Sequence, residues 1–245
     1  MHPFHKLLIL DVETVPIVPD FDQLSEPLQT HWSRKTAQTL SDKAQSPSQT
    51  WESAGIYAEF GKIVCISTGR LQGTAQDPVL HVRSFIGPED DLLREFFLFC
   101  EEVKPLRLAG HNIREFDIPY ICRRSFIQQV PLPPLFAQLQ TKKPWESPLI
   151  DTLQFWKFGE YKNFVSVDLL CTLLGIDSPK QSMSGQDVAQ VYWQERNPQR
   201  IMAYCEHDVL AVAHIVLRLI GAGEINHSKI RIEHHERNKR YYTSD

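Results

Sequence analysis

The apolar pattern of this 245-residue chain changes period in an order that leaves few architectures open. Lys6 to Val12 (KLLILDV), Gly61 to Thr68 (GKIVCIST) and Val79 to Ile86 (VLHVRSFI) are apolar runs of strand length, punctuated by Gly and Pro. They predict an antiparallel meander. From Glu89 to Val103 the period switches, and Leu92, Leu93, Phe96, Phe97, Cys100 and Val103 fall on one helical face. Leu106 to Gly110 reads as strand again. The spacing of Ile118, Ile121, Cys122 and Phe126 then predicts a helix from Asp117 to Gln128. Pro131 to Pro148 reads as a loop and Leu149 to Leu153 as a last short strand. Val167 to Leu174, Gly185 to Arg196 and Pro198 to Ile220 carry helical patterns. This order implies an α/β domain over residues 1–225, a five-stranded mixed sheet with helices on its faces.

Two stretches stand apart. Pro19 to Ala58 is polar, with Phe21, Trp32 and Trp51 as anchors, and is expected to be an inserted helical or partly mobile excursion. The segment from Asn226 to Asp245 is charged and poor in apolar residues, so a solvated end or a weak contact arm is expected. No run of eighteen apolar residues is present, and Leu7 to Leu10 is too short for a signal-peptide core. A soluble cytoplasmic protein without a membrane partner is the expectation. Cys65, Cys100, Cys122, Cys171 and Cys205 lie far apart within apolar patterns, as small buried hydrophobes in a reducing compartment. A net charge of -4 argues against a histone-like or coating role. It leaves room for an enzyme that holds a strand end through a local basic strip and bound cations.

Acidic residues carry the chemistry. Asp11 and Glu13 close the first apolar run; two residues apart on a strand they point to one face and can share a cation. A fraying strand end explains D-x-E equally well when it stands alone. Asp117 lies in Gly110 to Tyr120 (GHNIREFDIPY), where a strand-loop segment turns into a helix. A helix N-cap followed by an early Pro accounts for part of that string, not all of it. On the last long helix, Tyr204 and Asp208 are four apart and address one point. Ile201, Cys205, Val209, Val212, Val216 and Leu219 form its apolar stripe. At about 100° per residue Asp208 lies only about 55° from the stripe's centre, whereas His207 lies about 155° away and is expected to face solvent. A carboxylate on the core side needs a cation or hydrogen bonds.

In that order, LDVET, HNIREFDIPYI and YCEHD resemble the three motifs of the DEDD (DnaQ-like, RNase H-like) exonuclease superfamily. The subtype resembled is DEDDy, with Tyr four residues before the last Asp. The His of the DEDDh subtype would fall on Ala203. The second motif is similar to that of family B DNA polymerase exonuclease domains, and the chain resembles small bacterial proteins related to that domain. The resemblance implies a 3′→5′ exonuclease using two Mg²⁺ or Mn²⁺ ions, acting on a nucleic-acid 3′ end, with single-stranded DNA favoured. Asp11 would bridge both ions, Glu13 and Asp208 would complete one, and Asp117 would serve the other. Tyr204, a poor base with an ordinary pKa near about 10, would hold the attacking water. Thr14 and Asn112 match positions that touch the terminal nucleotide in relatives, and Phe116 reads as a wedge or a packing residue.

Arg114, Arg123, Arg124, Lys142, Lys143, Lys157 and Lys162 are candidates for a strand path, each with a plain surface charge as its competing reading. Asp151 is similar to a motif-adjacent Asp of related exonucleases, and helix capping explains it equally well. Two other readings use the same residues: a non-catalytic nucleic-acid-binding protein on this fold, and an RNase H-like endonuclease. The Tyr-x-x-x-Asp helix and the Asn-x-x-x-Phe-Asp string favour the exonuclease.

Overall fold

The structure is a computed structural model describing residues 6–39, 46–143, 146–162, 164–176 and 183–233. Six strands form one sheet in the order β5-β4-β1-β2-β3-β6. β1 (Leu7–Pro16), β2 (Gly61–Gly73) and β3 (Pro78–Ile86) are the predicted antiparallel meander. β4 (Arg107–Gly110) runs parallel to β1, and β5 (Leu149–Asp151) parallel to β4. The sixth strand corrects the five-strand expectation. β6 (Ile230–Glu233) comes from the segment read as a solvated end and pairs in parallel with β3. Its IRIE alternation is only four residues long, too short to stand out from its charged neighbours. Residues 234–245 of that segment lie outside the described residues.

β1 is apolar without a break because both its faces are covered. Leu8, Leu10 and Val12 enter a core with α2 (Glu89–Val103) and α3 (Asp117–Ile127). Leu7 and Ile9 pack on the opposite face, against Val209, Val212 and Val216. Those valines belong to α8 (Pro198–Leu219), whose cap Asn197 accepts the Arg200 amide ahead of Pro198. Gly69 lets α8 approach: a Cβ there would stand 2.7 Å from Val209 Cγ1.

The second motif's helix differs in detail from the expectation. The buried face of α3 is Asp117, Ile118, Tyr120, Ile121, Arg124 and Ser125, while Phe126 is exposed. The predicted loop holds one helical turn, α4 (Pro134–Ala137). The predicted last strand stops at Asp151, where α5 (Thr152–Lys157) begins. α6 (Val167–Leu174) lies where predicted, and α7 (Val188–Gln190) continues into a π-helical turn over Val191–Glu195.

The insertion is packed in its described parts. Trp32 on α1 (Glu26–Thr39) and Trp51 meet edge to face at 5.3 Å, with Leu24, Ala54 and Phe60 around them. Their indole N–H groups donate to Pro47 O and Val18 O, each at 2.9 Å. Two tryptophans satisfied in this way, with the Phe60 ring, supply a small core of their own. Tyr120 Oη donates to Gly55 O at 2.7 Å and Arg124 Nη1 to Ala58 O at 2.9 Å, tying the insertion to α3.

Arg124 is therefore not on a nucleic-acid surface. It is buried, with Nε and Nη2 on the Glu89 carboxylate at 2.8 and 2.5 Å. Glu89 also accepts the Ile63 amide at 2.7 Å and Gln128 Nε2 at 2.5 Å. Removing one member of such a pair strands the other charge. Arg124→Ala should lower the unfolding free energy by about 3–5 kcal/mol in a urea titration. The exposed Arg123→Ala should change it by less than about 0.5 kcal/mol.

Candidate active site

β1 outruns its parallel neighbour. Its pairing with β4 ends at Ile9↔Ala109, while its pairing with β2 continues to Pro16↔Gly61. Asp11 and Glu13 therefore lie in the middle of β1, on the stretch beyond β4, and not at a strand end as expected. A register shift follows at once, with Glu13 opposite Cys65 and Thr14 opposite Ile63. Such irregularities re-aim side chains beside active sites. Odd-numbered residues of β1 face α8, so both carboxylates point beneath that helix. Cys205 Sγ lies 3.4 Å from Asp11 Oδ2, and donor atoms of Asp11, Glu13 and Cys205 all lie within 4.8 Å of one another.

One turn along α8 from Cys205 stands Asp208, half-buried, with the Tyr204 hydroxyl hydrogen-bonded to it. His207 is half-buried as well, against the expectation that it faces solvent, and burial lowers its pKa. Asp117 is the first residue of α3 and not its cap, which is Phe116. It is only 3% exposed, and its carboxylate takes hydrogen bonds from its own amide and from that of Val12 on β1. The second motif thus docks against the strand that bears the first.

Asp151 positions that docking. Its carboxylate accepts the amides of Leu153 and Gln154 as the α5 cap, and also those of Asn112 at 3.0 Å and Arg114 at 3.2 Å. Capping is therefore half of its work; the other half is fixing the loop between β4 and α3. On that loop Asn112 adopts φ 63°, and its Oδ1 is buried without a hydrogen-bond partner. Thr14 is half-buried and hydrogen-bonded to Tyr120, and the Phe116 ring packs 5.4 Å from that of Tyr120.

The electrostatics follow from this crowding. Burial holds the Asp11 carboxyl well above the usual carboxylate range, and the charges of Asp208 and Asp117 push it further. Glu13 is raised by burial first, then by Asp11 and Asp208. Asp117 is pushed up to about 7 by burial, with Asp151 and Asp208 adding and the two amides opposing. The largest charge effects on Asp11 and Glu13 come from other acids and a thiol, all of which raise them. Carboxylates that raise one another in this way fit a site for divalent cations, which stabilise the ionised form of all of them. Oxygen donors suit hard ions such as Mg²⁺ or Mn²⁺. Burial and the neighbouring Cys65 thiol push the Cys205 thiol up, so it acts as a hydrogen-bond donor to Asp11.

This geometry agrees with two comparisons. Residues 56–239 match the model of a family described as "Predicted 3'-5' exonuclease related to the exonuclease domain of PolB". The chain belongs to that family. The matched stretch carries the second and third motifs, while Asp11 and Glu13 precede it. The chain's fold is similar to part of the family B DNA polymerase from the hyperthermophilic archaeon Pyrobaculum calidifontis, with a TM-score of 0.55 and 17% identity. That likeness covers 87% of this chain and spans 24% of the polymerase. No curated protein matches the chain.

The basic residues considered for a strand path divide by burial. Arg114, Arg123 and Lys142 line one cavity of about 410 Å³ beside Ile118 and Phe126, with Arg114 Nη2 donating to Leu149 O. Lys143 and Lys162 are exposed. Lys157 is buried, its ammonium 4.1 Å over the Phe164 ring. Sequence reasoning passed over Cys205 as a stripe residue and left Asp151 undecided; Asp11, which Cys205 contacts, and the Asn112 and Arg114 amides on Asp151 come from distant segments that no local spacing shows.

Because these folded carboxyls titrate above their unfolded values, the metal-free fold binds extra protons from the ordinary value of 3.8 up to about 7. Its stability should fall as pH rises through that window. Thermal melting without metal should show a lower Tm at about pH 7.5 than at about pH 5, with a smaller difference in Asp117→Asn. Added Mn²⁺ should raise Tm more at the higher pH, where protons no longer compete.

Proposed function

We propose that this member of the family is a divalent-metal-dependent hydrolase that removes nucleoside 5′-monophosphates from the 3′ end of a nucleic acid. DNA is preferred to RNA in this reading, supported by the likeness of the fold to part of a DNA polymerase. The observation that carries it is the burial of mutually repelling carboxylates from three distant segments, one of them hydrogen-bonded to Tyr204. Asp11, Glu13, Asp208 and Asp117 would hold the ions. Bound divalent ions lower the pKa of water and neutralise charge that develops on phosphate and leaving oxygens.

The chain's own residues supply position. In the overall reaction a water oxygen joins phosphorus, the bond from phosphorus to the 3′ oxygen breaks, and that oxygen takes a proton. Burial and the charges of Asp208, Glu13 and Asp11 hold the Tyr204 phenol protonated, so it positions water by hydrogen bonding and does not serve as the base. Asn112 Oδ1, a buried acceptor without a partner, suits a hydroxyl or amine of the terminal nucleotide. Thr14 and Phe116 would contact the same nucleotide in this reading, and both touch Tyr120.

End-labelled single strands of DNA and RNA, incubated with Mg²⁺ or Mn²⁺, test the reading. Products should shorten one nucleotide at a time from the 3′ end, faster on DNA. Asp11→Asn and Asp208→Asn should each slow this at least about a thousandfold. Tyr204→Phe should cost less than the roughly 10²–10⁴ expected for loss of a general base. A nicked circular substrate, or undiminished digestion by Asp11→Asn, would sink the proposal.

A further inference from the structure

From α5 to the start of α6 an aromatic ring recurs at every third position: Phe155, Phe158, Tyr161 and Phe164. Phe158 and Tyr161 are 93% exposed and Phe164 67%, the three most exposed large apolar side chains among the described residues. Rings left in water contribute little burial, so packing does not account for them. Phe158 is also held at φ 47°, a strained region for a bulky residue and an easy one for Gly or Asn. A side chain that neither packs nor relaxes its backbone points to a role outside the fold.

Both ends of this segment are fastened to the loop that carries Asn112 and leads to Asp117. Asp151, the cap of α5, holds the Asn112 and Arg114 amides, and Gln154 Nε2 donates to Glu115 at 3.4 Å. Where the segment ends, His111 Nε2 meets Val165 O at 2.7 Å. The rings therefore stand on an arm fastened at both ends to the loop that leads into Asp117. Lys157 holds its ammonium over the Phe164 ring, and Lys162 is exposed between Tyr161 and Phe164. Charged Glu160 and Lys162 interrupt the rings, so they form no continuous apolar patch for a protein partner. Separate rings with a nearby cation fit bases, each of which offers a π face, joined by phosphates.

We propose that Phe158, Tyr161 and Phe164 form a stacking arm for the unpaired nucleotides upstream of the 3′ end, with Lys162 serving their phosphates. This rests on the exonuclease reading and narrows its substrate to strands single-stranded over several nucleotides.

Fluorescence anisotropy with a labelled oligothymidylate of about twelve nucleotides, in Ca²⁺ so that the strand persists, reads the arm directly. The triple variant Phe158→Ala, Tyr161→Ala, Phe164→Ala should bind about a hundredfold more weakly. Phe158→Gly should weaken binding about tenfold without lowering Tm, since it relieves the backbone. The p-nitrophenyl ester of thymidine 5′-monophosphate has no upstream nucleotide, and the triple variant should hydrolyse it at the parent's rate with Mn²⁺. Oligonucleotide affinity equal to the parent's in the triple variant overturns the arm. A parent protein that cleaves neither ester nor oligonucleotide overturns the exonuclease reading instead, and the anisotropy comparison still judges the arm.

Discussion

Ionised carboxylates repel, and burial makes each of them costlier, yet Asp11, Glu13 and Asp117 are gathered in one buried place. Everything else in the structure is arranged so that this cluster does not spread apart. β1 supplies two of the acids from the centre of the sheet, where pairing with β2 on one side and packing on both faces leave no freedom to fray. α8 is held down on the strand by the bare backbone of Gly69 beneath Val209, so that Cys205 reaches Asp11. α3 is anchored away from the cluster by the buried pair of Glu89 and Arg124, which also collects Ile63 on β2 and Gln128. A satisfied ion pair two turns along the same face of α3 thus braces an acid at the helix's first residue that finds only partial compensation.

Asp151 and Asp117 show how differently two neighbouring buried acids can be satisfied. Asp151 is buried like Asp117, but four backbone amides point at its two oxygens. Hydrogen bonds to the ionised form make a buried carboxylate comfortable. Asp117 has two amides, and the charges of Asp151 and Asp208 act against it. Asp11 has a thiol, a weak donor. In the proposed function, the acids that lack donors are those whose charge a cation would meet.

How much of this was legible in the sequence depends on the range of the interaction. Period and punctuation exposed β1 to β5 and most helices, because apolar spacing is a local record of which face is buried. Tyr204 and Asp208 were found by helical spacing and meet in a hydrogen bond as that spacing requires. The strand end beyond Val12 was missed because Glu13 and Thr14 look like the start of a loop; only pairing with β2 keeps them extended. Arg124 and Lys157 were read as surface charges, since nothing nearby in sequence announces Glu89, Ala58 or the Phe164 ring. β6 was too short to separate from its charged context, and its partner strand lies far away in the chain. The insertion's three anchors were visible, while their mutual packing was not.

The loop from His111 to Phe116 is the point where these constraints meet. Asp151 holds its amides, Val165 holds His111, and Asp117 at its end joins the amide of Val12. Displacing the segment that bears the exposed rings would therefore pull on the same contacts that seat Asp117 and Asn112. Hydrogen bonds of this kind transmit position because the Asp151 and Asp117 carboxylates that accept them are buried away from competing water. In the proposed function, a strand seated on the rings and a terminal nucleotide seated at Asn112 would favour one loop conformation, and occupation of either site would stabilise the other.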